Sequence, residues 1–320
     1  MTQAQSNPYP FSDSNKRYFT YDYYLRRTFG EKCAKLPLDA GFSCPNIDGT
    51  CGVGGCIYCS PRGSGDFAPS ASRSITEQIE EQKKVFLQKW EVSKFIAYFQ
   101  AHTNTYAPLS VLKEKFEEAI AADGIVGLNI ATRADCLPGD VIEYLASLAE
   151  RTVLTVELGL QTSNDAVAQR INRGHTYLDF VKAVERLRAA SPRIGICAHI
   201  IFGLPDEDED EMLQTVRDVA SLRVDQVKIH LLHVLRHTVL GERYERGAYI
   251  PMEREDYIRT VVKALEILPP ETVIGRLTGD GMADELLAPL WSRKKTTVLN
   301  DIDKLLYEQN TWQGKHYRNS

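Results

Sequence analysis

The sequence lacks any apolar run that approaches the roughly 20 residues needed to cross a bilayer. Its N-terminus, MTQAQSNPYPFSDSNKRY, lacks the apolar stretch of a secretory signal. Tandem repeats, long low-complexity tracts and a Gly/Ser linker that would divide the chain are also missing. We therefore expect a cytoplasmic protein with no membrane partner.

An excess of basic charge is absent too, since the formal net charge is −5. This charge argues against a broad nucleic-acid-binding face. Local basic pairs at Lys16–Arg17, Arg26–Arg27 and Lys294–Lys295 remain candidates for RNA contact. The composition is that of a globular chain, with 320 residues of which 43% are apolar and 25% charged. In the cytoplasm its seven cysteines should stay reduced, so a close group of them indicates metal binding or redox chemistry.

Apolar runs with β-strand character alternate with amphipathic helical patterns. The runs are Lys35–Phe42, Phe95–Phe99, Ile125–Ala131, Val153–Leu160, Ile194–Phe202 and Val227–Val234. Strands separated by crossover helices build parallel sheets, so we predict an α/β fold with a partial (β/α)6 barrel over residues 31–245. Residues 1–30 should pack on the barrel as an N-terminal segment. Residues 246–320 should form a mainly helical C-terminal extension with one possible strand, Thr272–Leu277.

In such folds the functional residues follow the carboxyl ends of the strands. The loop after the first run carries four cysteines among several glycines: Cys44, Cys51, Cys56 and Cys59. Two ligand sets are open. All four thiols close a tetrahedral zinc site, or Cys44, Cys56 and Cys59 hold three irons of a 4Fe–4S cluster while Cys51 is a bystander. The position of the loop in a β/α series favours the cluster, whose open iron can bind S-adenosylmethionine (SAM).

These features resemble the radical SAM superfamily, in the branch related to the catalytic subunit of Elongator and to bacterial YhcC/YtqA-like proteins. The resemblance runs from about Lys16 to Gly314. Its most specific piece is LPLDAGFSCPNIDGT…GGCIYC, with a C-x11-C-x2-C spacing of the ligands. It implies a radical SAM barrel, a 4Fe–4S cluster on Cys44, Cys56 and Cys59, and Tyr58 near the adenine of SAM.

Segments at the later strand ends extend the resemblance: YFQAHTNTYAP, ATRAD, ELGLQT, IIFGLPDE and KIHLLHVLRHTVL. By the resemblance, the cofactor-binding candidates are Tyr58, Gln100, Thr103, Asn104, Arg133, Glu157, Gln161, Ile201, Gly203 and Leu204. The catalytic candidates are His102, Glu157, Gln161, Lys228 and His230. A histidine at the mouth of the barrel can donate a proton or hold a substrate carboxylate.

Other conspicuous residues have simpler interpretations. Cys197, inside GICAHI, is expected to be a small core residue. Cys136 follows a predicted strand end, from which it can reach the site. The acidic run Asp206–Glu211 is expected to be the solvated start of a helix.

The resemblance implies an enzyme that reductively cleaves SAM at a 4Fe–4S cluster and forms a 5′-deoxyadenosyl radical. Some members of the branch are linked to the wobble uridine of tRNA, where 5-carboxymethylaminomethyluridine is trimmed to 5-aminomethyluridine. We expect the same substrate here, with tRNA and an electron donor such as flavodoxin or ferredoxin as partners. Two alternatives stay open: a small-metabolite substrate, and a non-catalytic zinc or iron–sulfur protein that binds RNA or carries electrons.

Overall fold

The computed structural model describes residues 7–63, 65, 67–279, 281 and 283–318. Outside the described residues lie 1–6 of the predicted N-terminal segment and 319–320 of the predicted C-terminal extension. Asp280 and Met282 of the extension also lie outside them. Within the described ranges, every helix is too short or too polar to cross a membrane.

Strands and helices alternate through most of the chain. The strands are β1 (Cys33–Leu38), β2 (Lys94–Phe99), β3 (Ile125–Thr132), β4 (Val153–Gln161), β5 (Gly195–Phe202), β6 (Gln226–Leu231), β7 (Val234–Leu235), β8 (Val273–Arg276) and β9 (Leu286–Ala288). The helices are α1 (Tyr21–Phe29), α2 (Ile75–Leu87), α3 (Leu109–Ala121), α4 (Gly139–Ala149), α5 (Asp165–Arg170), α6 (Tyr177–Ala190), α7 (Glu209–Ser221), α8 (Val239–Glu245), α9 (Arg254–Ile267) and α10 (Lys295–Glu308). A short 3-10 helix covers Leu290–Arg293.

In the part of the chain that the structure describes, seven strands form one parallel sheet in the order β1-β2-β3-β4-β5-β6-β8. The sheet curls into a half-barrel with helices around it, so the predicted α/β partial barrel is confirmed. Each of the six predicted runs overlaps one strand of this sheet, with ends that differ by up to four residues. The possible strand Thr272–Leu277 also exists as β8, and it joins the sheet beside β6 instead of packing on the outside of the barrel.

Alternation along the strands separates an apolar outer face from a polar inner face. On β4, the outward side chains pack under the helices, and they are Leu154, Val156, Leu158 and Leu160. Glu157 and Gln161 belong to the opposite face, which lines the interior of the half-barrel. The polar chemistry of the chain therefore collects inside the curl.

The helix starts follow local capping chemistry. Ser74 and Glu77 form a reciprocal capping box at the start of α2. Asp208 accepts a hydrogen bond from the backbone of Glu211 and caps α7, so the acidic run is a helix start as predicted.

Helix α1 lies across the gap between the two edge strands of the sheet, where it contacts both β1 and β8. The N–H of Ile274 donates to the carbonyl of Phe19 at 2.7 Å, which fixes the entry to α1 against β8. Before this point, Lys16 forms an ion pair with Asp303 of α10. Arg17 is buried and donates to the carbonyl of Leu306 at 3.3 Å. This basic pair thus anchors the N-terminal segment and is not a surface patch for RNA.

The C-terminal extension shares the core of the barrel through Tyr257 on α9. This side chain is fully buried, its ring centroid lies 6.3 Å from that of Phe202 on β5, and its hydroxyl donates to the carbonyl of Leu277 at 2.7 Å. The proposed boundary at residue 246 stays a prediction, but α9 and the sheet are packed together.

We predict that Tyr257→Ala lowers the free energy of unfolding by about 3–5 kcal/mol, because it leaves a large cavity between α9 and the sheet. Urea denaturation followed by circular dichroism measures this change. Leu178→Ala, at a side chain that is 56% exposed, is the control and should change stability by less than about 0.5 kcal/mol. Equal effects of the two substitutions would contradict a shared core.

Candidate active site

A cavity of about 280 Å³ opens inside the half-barrel, at the carboxyl ends of its strands. Parallel sheets place their functional loops at this edge. Its lining includes these predicted site residues: Cys44, Cys56, Tyr58, Cys59, Gln100, His102, Thr103, Glu157, Gln161, Ile201, Lys228 and His230. The structure thus brings residues from the first loop, from the segment after β2 and from strands β4, β5 and β6 to one cavity.

Cys51 lies elsewhere. Cys44 and Cys59 are half-buried and Cys56 is buried, whereas Cys51 is exposed. Cys51 borders a separate cavity of about 820 Å³, together with Cys136. Among the described lining residues of the first cavity, Cys51 and Cys136 do not occur. Three of the four thiols of the loop therefore share a wall and the fourth faces another space.

Two consecutive glycines shape the end of the cysteine loop. Gly54 and Gly55 have φ of 80° and 75°, a left-handed conformation that glycine adopts without steric cost. The turn returns the chain toward Cys56, where the N–H of Cys59 donates to the carbonyl of Cys56 at 3.0 Å. Cys56 and Cys59 are thereby held side by side.

The segment after α5 stabilises this loop through hydrogen bonds. The side chain of Asn172 donates to the carbonyl of Gly55 at 2.7 Å, and the N–H of Ile57 donates to the carbonyl of Ile171 at 3.1 Å. Asn46 in turn donates to the carbonyl of Asn172 at 2.5 Å. The loop is therefore fixed by polar contacts to the chain beyond β4.

Arg173 places a buried cation beside the thiols, and the sequence analysis missed it. Its guanidinium donates to the carbonyl of Gly159, while its Nε has no partner among the described residues. A hydrogen bond from Cys59 lowers the pKa of Cys56 to about 5 against the effect of burial, and Arg173 contributes to the lowering. A thiolate is the form that binds metal.

The cavity wall includes two residues with a left-handed backbone. His102 has φ of 55° and Gln161 has φ of 76°, values that are uncommon for residues with a side chain. Such strain is frequent at functional sites. Burial lowers the pKa of His102, which keeps its imidazole neutral at physiological pH.

Asn104 supports the wall from behind. It is fully buried, and its amide nitrogen donates to the carbonyls of Phe99, Ala101 and Ala131 at 3.2, 2.9 and 2.9 Å. The described lining of the cavity does not include Asn104. Its observed contacts connect the ends of β2 and β3.

Arg133, Gly203 and Leu204 are likewise outside the described lining. Arg133 forms two hydrogen bonds to Asp135 at 2.9 and 2.7 Å, and donates to the carbonyl of Arg173 at 2.8 Å. The carbonyl of Gly203 accepts from Tyr249 at 2.6 Å, and Leu204 packs in an apolar cluster that also contains Ile201. These residues contact the layer behind the cavity.

The floor of the cavity is organised around a fully buried carboxylate, Glu157. Its Oε1 accepts from Lys35 at 2.5 Å and from Asn129 at 2.7 Å. Its Oε2 accepts from His199 at 2.8 Å and from Lys228. Four donors from four strands thus converge on one side chain of β4.

Burial alone would raise the pKa of Glu157, but Lys228, Lys35 and His199 bring it well below the usual value. The carboxylate is therefore ionised. Burial, reinforced by Lys228, lowers the pKa of His199 to about 4, so this imidazole is neutral and donates its Nε2 proton to Glu157. His230 is also neutral, because burial and His199 bring its pKa well below the usual value.

Cys197 is fully buried next to this group, as predicted for a core residue. Its sulfur, a carboxylate oxygen of Glu157 and a nitrogen of His199 lie within 4.8 Å of one another. The ammonium groups of Lys35 and Lys228 contact the same carboxylate and disfavour a cation there. The trio is therefore a poor metal site.

Lys35, Asn129 and His199 are the floor residues that sequence reasoning missed. A signal existed, because His199 lies two positions before Ile201 and therefore on the same side of β5. The two-residue alternation along a strand predicts which polar residues share a face, but it does not predict which of them contact one another.

Two family models match the chain. The model described as "Radical SAM superfamily" matches residues 49–219, and the model described as "Radical_SAM C-terminal domain" matches residues 224–308.

Relatives of similar length exist in bacteria. YtqA of Bacillus subtilis (strain 168) is 48% identical over 314 residues, which cover 98% of this chain and 97% of that protein. YhcC of Escherichia coli (strain K12) is 36% identical over 285 residues, or 89% of this chain and 90% of that protein.

A tRNA uridine(34) acetyltransferase of Methanocaldococcus jannaschii is 30% identical over 159 residues, which cover 48% of this chain and 28% of that protein.

Among solved structures, an archaeal Elp3 from Methanocaldococcus infernus with residues 1–46 deleted has a similar fold. The TM-score is 0.66 at 19% sequence identity, and the match covers 88% of this chain and 64% of that chain.

We predict that Glu157→Gln lowers the free energy of unfolding by about 3–5 kcal/mol, because it leaves two buried ammonium groups without their counter-charge. Urea denaturation measures the loss, and adding Lys35→Met to the variant should recover part of it. Glu117→Gln, which removes a carboxylate from the exposed ion pair with Arg151, is the control and should shift the urea midpoint only slightly. A Glu157 variant as stable as this control would contradict the charge balance described for the floor.

Proposed function

Since the chain belongs to the radical SAM superfamily, in the branch related to Elongator, we propose that it modifies the wobble uridine of tRNA. Its membership makes it an enzyme that depends on a 4Fe–4S cluster and SAM. The likeness to YtqA and YhcC covers nearly the whole of this chain and of those proteins.

Cys44, Cys56 and Cys59 are the residues that would hold the cluster. The observation that carries this assignment is that these three thiols border one cavity at the carboxyl end of the sheet, while Cys51 borders another. When bound, the cluster supplies the electron that cleaves SAM and releases a 5′-deoxyadenosyl radical. The protein contributes the thiolates and the fixed loop that carries them.

The remaining lining fits SAM. Tyr58 and Ile201 offer apolar surface for the adenine, and Gln100 and Thr103 lie where the polar groups of the methionyl part need partners. Arg173 adds a buried positive charge next to the thiols, which complements the carboxylate of SAM. Gln161 also lines the cavity and would contact the ribose.

The substrate we propose is 5-carboxymethylaminomethyluridine at the wobble position, trimmed to 5-aminomethyluridine. Loss of a hydrogen atom from the carboxymethyl CH2 to the 5′-deoxyadenosyl radical, and of one further electron to an oxidised electron carrier, would leave an imine. Water would then hydrolyse the imine, breaking its C–N bond and releasing 5-aminomethyluridine and glyoxylate. Support comes from the partial match to a protein named tRNA uridine(34) acetyltransferase. Single-stranded anticodon bases can be splayed out of the loop and enter a pocket. His102, Glu157, Lys228 and His230 then face the modified side chain within the barrel. A flavodoxin or ferredoxin in the cytoplasm would deliver the electron.

We predict that alanine at position 44, 56 or 59 abolishes iron binding, because each loss removes one of three cluster ligands. Anaerobically reconstituted wild-type protein should hold about four irons per chain and release 5′-deoxyadenosine when SAM and dithionite are added. Cys51→Ala is the matched control from the same loop and should keep both properties. One zinc per chain, or cluster loss in the Cys51 variant, would favour a closed four-cysteine site.

We further predict that tRNA from a strain that lacks the gene accumulates 5-carboxymethylaminomethyluridine and loses the nucleosides made from 5-aminomethyluridine. Mass spectrometry of digested tRNA measures both. Complementation with the wild-type gene should restore the pattern, and complementation with the Cys56→Ala gene should not. An unchanged nucleoside profile in the deletion strain would contradict the tRNA substrate.

A further inference from the structure

The interior of the half-barrel continues below the cavity that the cysteines border. A second space of about 250 Å³ lies between β1 and β8 under α1, and its lining includes Tyr21 of α1 and Lys35. Tyr98, Lys228 and Arg276 line both spaces. A ligand that enters at the thiols can therefore extend down to the two lysines.

The floor carries an excess of positive charge. Lys35 and Lys228 both contact Glu157, which is the one carboxylate that lines either space in the described part of the chain. A carboxylate has about four acceptor sites, and four donors already use those of Glu157. Two lysines thus share one carboxylate, and its acceptor positions are already occupied.

The lysines also keep hydrogen-bonding capacity. An ammonium group has three N–H donors. Among the described residues, Lys35 gives one to Glu157, and its Nζ lies 3.8 Å from the centroid of the Tyr98 ring. Lys228 gives one to Glu157 and one to the hydroxyl of Tyr98 at 3.3 Å. Each ammonium group can therefore donate a further hydrogen bond to an anionic partner.

A third group at the same level has an open position. The Nε2 of His230 is buried without a hydrogen-bond partner in the described residues, and the side chain lines the cavity. Its ring centroid lies 5.1 Å from that of His199, which itself contacts Glu157. A buried polar atom without a partner is costly unless a ligand satisfies it.

We propose that Lys35 and Lys228, together with Nε2 of His230, form a carboxylate-binding site on the floor of the barrel that holds the carboxylate of the substrate. This inference rests on the proposed function and assigns the recognition of the carboxymethyl group to named residues. Lys35 and Lys228 each lie three residues before the end of their strand, which places them about 10 Å of extended chain below the carboxyl edge of the sheet. The carboxylate is therefore bound deep in the barrel, and the rest of the side chain points up toward the thiols.

The charge environment of Lys35 agrees with this assignment. Burial and the nearby Lys228 lower the pKa of Lys35 to about 7, although Glu157 opposes the change. A second carboxylate on the floor would provide the counter-charge that this lysine needs to stay protonated.

The test compares two anticodon stem-loops that differ only in the wobble residue, 5-carboxymethylaminomethyluridine or 5-aminomethyluridine. Fluorescence anisotropy measures their binding to reconstituted holoenzyme. The wild type should bind the carboxylated stem-loop roughly 10- to 100-fold more tightly, the range expected for charge-assisted hydrogen bonds. Lys228→Met should abolish this preference, because the variant keeps Lys35, His199 and Asn129 on Glu157 but loses the surplus charge. Lys228→Arg should retain part of the preference.

Controls separate the possible failures. Lys94→Met removes an ammonium group that contacts Glu31 and the carbonyl of Phe29 away from the cavity, and it should keep the full preference. Iron content and circular dichroism establish that each variant folds. If Lys228→Met folds poorly, His230→Gln and Lys35→Met provide the same comparison.

Four outcomes would overturn the inference. A wild type that processes the carboxylated stem-loop but binds both stem-loops equally has no carboxylate site. A folded Lys228→Met that keeps the preference places the site elsewhere. A Lys228→Met variant that loses SAM affinity, measured by equilibrium dialysis, shows that the lysines serve the carboxylate of SAM. A wild type that releases 5′-deoxyadenosine but processes neither stem-loop refutes the tRNA substrate, and with it the carboxymethyl group as the ligand.

Discussion

The interior of this half-barrel depends on one buried ion cluster, in which Glu157 on β4 accepts hydrogen bonds from groups on β1, β3, β5 and β6. Removing a carboxylate from water costs several kcal/mol. The buried ion cluster around Glu157 is therefore stable only because every acceptor position of this carboxylate is satisfied. The same contacts tie strands together across the interior, where backbone hydrogen bonds cannot reach. A polar core of this kind fixes the relative positions of the strands that carry the site.

Much of the fold could be predicted because the strands alternate in a regular way and the helices between them are amphipathic. The cysteine loop could also be placed, since a strand end in a parallel sheet is a defined location. The side-chain contacts across the interior of the barrel could not be predicted. Lys35 and Glu157 are 122 positions apart, and their meeting depends on the curl of the sheet, which no local pattern encodes. β8 was seen as a possible strand, but its place beside β6 depends on the same long-range geometry.

The motif segments predicted the region of the site better than the direction of each side chain. Gln100, Thr103 and Asn104 belong to one segment, yet the first two line the cavity and Asn104 holds three backbone carbonyls behind it. The buried cation that lines the cavity of the three thiols is Arg173, whereas Arg133, to which the sequence drew attention, is also buried but contacts the sulfur of Cys51 at 3.4 Å. At an irregular strand end the two-residue alternation breaks down, so neighbouring residues face different sides for reasons that only the local turn determines.

Strand β1 connects the two functional levels of the barrel. The loop that begins after Leu38 carries the three thiols, and Lys35 lies three residues earlier on the same strand. Because a β-strand is nearly inextensible at about 3.3 Å per residue, the distance between Lys35 and the start of the cysteine loop is set by the backbone and varies little. Under the proposed function, a radical formed at the rim would react only with an atom held at a fixed height above the floor. An anchor on the floor therefore selects which carbon of a bound side chain is reached, and the protein directs an unselective radical by geometry.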